Sequence, residues 1–138
     1  MQFARINRSL PEKIFINVYN ADTVAIGATE IATWKVGLTE ATGAGVHVIQ
    51  SAATANMQTV AGVAVAAIAA ATYGLIQIYG LAAVKSGAAT QVTHTMRTGG
   101  TTAGVGVGVA VDTSAEASMG PVITSTSGGV ALVLLRLM

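Results

Sequence analysis

Two histidines, His47 and His94, and six carboxylates, Glu12, Asp22, Glu30, Glu40, Asp112 and Glu116, are the side chains best suited to acid–base or metal chemistry here. Their spacing supports neither. No histidine stands in an HExxH or comparable ligand pattern, and His47 alternates with Val46 and Val48 as a strand residue does. The carboxylates are dispersed, so a glycosidase-type pair would have to arise through folding. There are no cysteines, which excludes a disulfide scaffold and thiolate metal sites. No serine lies in a GxSxG elbow. The run from Gly99 to Gly108 lacks GxxxxGK[ST], and its period-two valines make it a strand, not a phosphate cradle. Trp34, Tyr73 and Tyr79 are expected to fill a core or a subunit interface, where large rings contribute most. The expectation is a protein that is not an enzyme, with no catalytic, cofactor-binding or metal-binding residues.

If chemistry is not the task, surface must be. Charged residues make up 9% of the chain and apolar ones 52%, against about 25% charged in an ordinary globular domain. Such a chain is expected to hide much of its exterior against partners. The net charge is +1, and the seven basic residues are scattered except for Arg5, Arg8 and Lys13 near the start. No basic stripe follows a phosphate backbone, so nucleic acid is not an expected partner.

At 138 residues the chain fits one domain with one core. Residues 1–12 are polar and basic, and Pro11 biases Leu10 towards an extended conformation. They lack the apolar run of a signal peptide and are read as an N-terminal arm. Residues 13–138 are read as an all-β domain. Lys13 to Tyr19 alternates β-branched and aromatic residues and predicts a strand. Glu30 to Val36, Val46 to Gln50, Met57 to Val65 and Tyr73 to Val84 predict four more. Gly74 and Gly80 are read as turn or bend positions bracketing the middle of that last segment. The pattern AGVGVGVAV predicts another strand, with Val105, Val107, Val109 and Val111 on one face and Gly104, Gly106 and Gly108 on the other. Pro121 to Thr126 and Val130 to Leu137 form a closing hairpin around Ser127-Gly128-Gly129. About eight short strands with polar and glycine-rich connections argue for a small β-barrel or β-sandwich.

One segment competes with that reading. Residues 61–84 carry no charge and are long enough to cross a bilayer as a helix. The alternation around Leu75, Gln77 and Tyr79 and the lack of flanking basic clusters argue for strands and against a membrane. The glycine face has its own implication. Backbone without side chains admits close approach, so Gly104, Gly106 and Gly108 are candidates for an oligomer interface, with a tight crossing inside the chain as the alternative.

The segment Glu12 to Gly37 resembles the start of head decoration, or cement, proteins of tailed bacteriophages: a basic arm, a KIFVxVxN-type strand, a turn, and a strand containing a tryptophan. The stretch YGLIQIYGLAAV (Tyr73 to Val84) is similar to a YGxVQVYGxA segment of the same proteins, and the Gly/Thr/Ala-rich second half also matches. The resemblance implies an all-β subunit that binds the major capsid protein on the outer surface of the shell between capsomers. It also implies self-association, commonly as a trimer, and stabilisation of the capsid. Another phage structural subunit, of a tail or head fibre, is the neighbouring alternative. In either setting the arm is the expected docking element. Phe3, Ile6 and Leu10 would anchor in apolar pockets, and Arg5 and Arg8 would pair with shell carboxylates.

Overall fold

A computed structural model describes residues 12–52, 60–87, 94–98, 102–110, 119–124 and 129–137. Nine strands occupy most of them: β1 (Ile14–Asn20), β2 (Ile31–Trp34), β3 (His47–Gln50), β4 (Val60–Ala64), β5 (Tyr73–Ser86), β6 (His94–Thr98), β7 (Gly106–Ala110), β8 (Gly120–Pro121) and β9 (Gly129–Arg136). A single 3₁₀ turn at Glu40–Thr42 is the one helical element among the described residues. The chain is all-β.

Five strands close on themselves. β1 pairs with β3, β3 with β2, β2 with β4, β4 with β5, and β5 with β1 again; only the β1–β3 contact is parallel. The inward residues of this barrel include Val18, Ala32, Val48 and Ile76, with Ile26 and Ile68 supplied by connecting segments that meet in an isolated bridge. Each large aliphatic side chain buried here contributes about 1.5–3 kcal/mol.

The second half of the chain builds a second ring that shares β5. β9 pairs with β5 from Tyr79 to Ser86, β7 meets β5 at Ser86, β6 pairs with β7, and β8 with β6. The ring closes through the Val122–Val133 bridge and the Arg136 N–H bond to the Met119 carbonyl. Its core holds Val84, Met96, Met119, Val133 and Leu135, joined by Ile31 and Val63 from β2 and β4.

One 14-residue strand serves both rings because it changes direction at Gly80. Ile14 lies opposite Tyr79 but Phe15 opposite Gln77, an irregular step in register, and Gly80 has φ 89°. A Cβ at that position would run into the Glu12 carbonyl oxygen, so glycine is required for space as well as for conformation. The Gln77 amide spans the bend, donating to the carbonyls of Tyr79 at 3.0 Å and Leu81 at 3.1 Å. Before the bend Ile76 and Ile78 face the barrel core; after it Ala82 and Val84 face the second core.

The structure departs from the sequence reading at definite places. Of the two glycines read as turn or bend positions, Gly80 is the bend, whereas Gly74 is an ordinary position of β5 without a positive φ. β6 has no apolar alternation in HTMRT, yet Met96 is fully buried and pairs with Gly108. Within residues 61–84, β4 and β5 replace the membrane helix, and no helix among the described residues is long and apolar enough to cross a bilayer.

Candidate functional site

Among the described residues, those marked for chemistry do not gather into a group of three or more. His47 stacks against Tyr19 with ring centroids 4.8 Å apart, and its imidazole lies over Gly43. Asp22 accepts backbone N–H groups of Thr23 and Gln50. No group of three or more His, Cys, Asp or Glu residues among those described is arranged to hold a metal ion. Asp112 and Glu116 lie outside the described residues, as do the arm positions Phe3, Arg5, Ile6, Arg8 and Leu10.

Glu30 is the exception that packing, not spacing, creates. It is only 7% exposed and stands at the start of β2, where both rings meet. Lys85 Nζ of β5 donates to Oε1 at 2.7 Å. The Gly27 N–H and the Gln50 amide donate to Oε2 at 2.8 and 2.7 Å. Burial alone would raise the Glu30 carboxyl above its usual range. The hydrogen bonds from Lys85, Gly27 and Gln50, together with the Lys85 charge, outweigh burial and hold it below. A carboxylate this well satisfied is a poor base and has little left to offer a metal. It is a structural tie.

Gly104 belongs to the same junction. Its φ is 75°, and a Cβ there would stand 2.8 Å from the Glu30 carboxyl carbon. Its N–H donates to the carbonyl and hydroxyl of Ser51, and its carbonyl accepts from Ile31. At Gly106 a Cβ would meet the Met96 sulfur at 2.5 Å. The close approach permitted by these two glycines is therefore filled by the chain itself, while Gly108 is half-buried opposite Met96. Sequence reasoning missed Glu30 because its partner is 55 residues away.

A surface candidate lies on the outside of the barrel. Phe15, Asn17 and Tyr19 of β1 stand opposite Gln77, Leu75 and Tyr73 of β5. Tyr73 is 66% exposed and Leu75 51%. Val65 adjoins them, its N–H donating to the Leu75 carbonyl, and is itself half-exposed. A patch combining exposed Phe15, Leu75, Tyr73 and Val65 is the kind of surface that marks an interaction site. It can bury against a partner.

Comparison with known proteins adds the fold. The sequence matches no protein-family model and no curated protein. The structure is similar to the crystal structure of the head fiber gp8.5 N base of bacteriophage phi29, with a TM-score of 0.61 and 13% sequence identity. The match covers 89% of this chain and 95% of that one, so it extends across both rings.

Proposed function

We propose that this chain is a non-enzymatic structural protein of a bacteriophage virion, attached to the outer surface of the capsid and stabilising the shell. The observation that carries the reading is the fold likeness to a phage head fibre base over nearly the whole of both chains. The charge-poor surface, the apolar patch around Tyr73 and Leu75 and the cement-protein resemblance support it. Many weak contacts repeated over a symmetric shell give lasting attachment. The major capsid protein is the partner, and a closed homo-oligomer, a trimer in the first instance, is the attaching unit. The arm adds contacts through Phe3, Ile6 and Leu10, with Arg5 and Arg8 meeting acidic groups of the shell.

A second reading is favoured by the same fold likeness: the chain is the base of a head fibre. Mixing purified protein with undecorated shells tests both. Saturable, stoichiometric binding with increased resistance of the shell to heat supports the first. A thin projection above each attached base, visible by electron microscopy in the assembled virion, selects the second. Intact shells that bind nothing overturn both.

A further inference from the structure

β1 is paired along only part of one edge. The Asn20 N–H donates to the Thr72 carbonyl on the β5 side, whereas the Tyr19 and Ala21 N–H groups donate to the carbonyls of Val46 and Val48 on the β3 side. Main-chain groups of successive residues turn to opposite edges in this way, and the β1–β5 register is unbroken from Phe15 to Tyr19. Those of Ile16 and Val18 therefore turn to β5, and those of Phe15 and Asn17 turn to the other edge. β3 reaches that edge only at Tyr19 and Asn20. Among the described residues nothing pairs with Phe15 or Asn17 there, and both side chains are exposed.

The gap shows in the packing as well. Ile16 and Val18 both pack in the barrel core, but Val18, beside which β3 begins, is fully buried and Ile16 only half-buried. The gap ends at Val46, whose carbonyl bonds Tyr19 and which is itself exposed, with Gly45 at φ 76° just before it. Proteins commonly guard such an edge with charged residues or proline. Ile14 to Asn20 contains neither.

These groups define what can fill the gap. Two outward N–H groups and two outward carbonyls, set in a line about 10 Å long from Ile14 to Asn17, match the backbone of an extended polypeptide. A second copy of the same edge does not fit. Symmetric pairing about Ile16 would set Ile14 of one copy opposite Val18 of the other, the place that Val46 takes in the β1–β3 register.

We propose that the β1 edge at Phe15 and Asn17 receives a short, extended, uncharged segment of the shell subunit as an added strand. The inference rests on the capsid-attachment reading and gives that attachment its mode. Phe15 and Asn17 each offer the added strand one donor and one acceptor. Apolar residues on its inner face cover Ile16, and those on its outer face extend the exposed row of Phe15, Leu75 and Tyr73. So short a contact holds because it is repeated over the shell.

Proline separates the edge from the side chains. Asn17→Pro removes an outward N–H and places a ring in the gap, while the bonds of Ile16 and Val18 to β5 remain. Asn17→Ala removes the side chain and keeps the N–H. Circular dichroism and urea unfolding check that both variants fold. On undecorated shells the parent and Asn17→Ala should bind alike, and Asn17→Pro should bind about tenfold more weakly or not at all. Hydrogen exchange of the parent needs no variant and decides the matter if Asn17→Pro does not fold. The Phe15 and Asn17 amides should exchange as exposed amides do in the free protein and become protected on the shell. Equal binding by folded Asn17→Pro, or no new protection on the shell, overturns the proposal and leaves capsid attachment standing. So does protection already present in the free protein, which would show the edge filled by this chain or by another copy. A parent that binds no shells overturns both.

Discussion

Asn20 and Glu30 are both buried at the ends of barrel strands, and each gathers several segments of chain, but they do so with different electrostatics. The Asn20 side chain is fully buried and neutral. Its amide donates to the carbonyls of Val24 at 2.9 Å, Ile68 at 3.0 Å and Ala69 at 3.2 Å, and its oxygen accepts the Asp22 N–H. All its partners are backbone groups of the barrel. Glu30 is ionised, and its partners come from the loop before β2, from β3 and from β5. The difference teaches that closing one ring needs only backbone satisfaction, whereas the junction between rings relies on a charge whose strength depends on pH and on one lysine.

The largest expected effect is at the neutral site. Asn20→Ala removes a donor from the Val24, Ile68 and Ala69 carbonyls and the acceptor of the Asp22 N–H. The Ile68 carbonyl keeps the Ile26 N–H and the Ala69 carbonyl the Thr72 hydroxyl, but a side chain that is itself fully buried is lost with four hydrogen bonds, and buried polar groups left unmade cost about 1–3 kcal/mol each. Loss of about 3 kcal/mol in urea unfolding is expected, and it should be the same at pH 5 and pH 8. A loss confined to one end of that range would mean that Asn20 acts through a titrating neighbour, and the contrast with Glu30 would collapse.

Glu30→Gln should cost less, about 2 kcal/mol at neutral pH. Lys85 keeps nearly half of its side chain in solvent and can turn to water when its partner is lost. The cost should also disappear in acid. The Glu30 carboxyl lies below its ordinary value in the folded chain, so its contribution is complete above the unfolded-state value of about 4.3. It is lost as pH falls through the lower folded-state value. The stability gap between the parent and Glu30→Gln should therefore be constant from pH 8 to about 5.5 and close below about 4. A gap that stays open in acid would assign the effect to shape instead of charge.

How far these sites were legible in the sequence follows from the range of their contacts. KIFINVYN shows β1 by alternation alone, because each strand residue is specified by its immediate neighbours and the burial pattern of Ile16 and Val18. Asn20 reads as a turn residue, which is half of its role: the Asp22 contact is two residues away, but the Ile68 carbonyl is 48 away. Nothing local near Glu30 announces Lys85. The glycine-rich strand is legible as a place of close approach, yet what approaches Gly104 is the Glu30 carboxylate and what approaches Gly106 is Met96. β6 is missed because only Met96 faces the core strongly, and a strand with one buried apolar residue leaves no periodic signal. The bend at Gly80 is legible as a turn or bend position because both call for a residue that tolerates a positive φ, but that β5 continues through it to serve a second ring is set by contacts distant in sequence.

Lys85→Met should have the smallest effect at neutral pH, about 1 kcal/mol, since it removes a half-exposed charge whose pairing is screened by solvent. Its informative consequence lies in acid. Burial pushes the Glu30 carboxyl up, and Lys85 supplies both a hydrogen bond and a charge that oppose it. Without Lys85 the Gly27 N–H and the Gln50 amide remain, so the carboxylate keeps two donors, but its folded-state value must rise. A higher folded-state value means that protonation, and the stability lost with it, begins at a higher pH. The acid-unfolding midpoint of Lys85→Met should accordingly lie above that of the parent, measured by fluorescence of Trp34. Moderate salt should move the parent towards the variant only weakly, because the carboxylate end of the pair is buried and screened less than an exposed pair. If the two acid limbs coincide, the neutral donors alone hold Glu30 ionised. The junction would then work as Asn20 does, by satisfying polar atoms without help from charge.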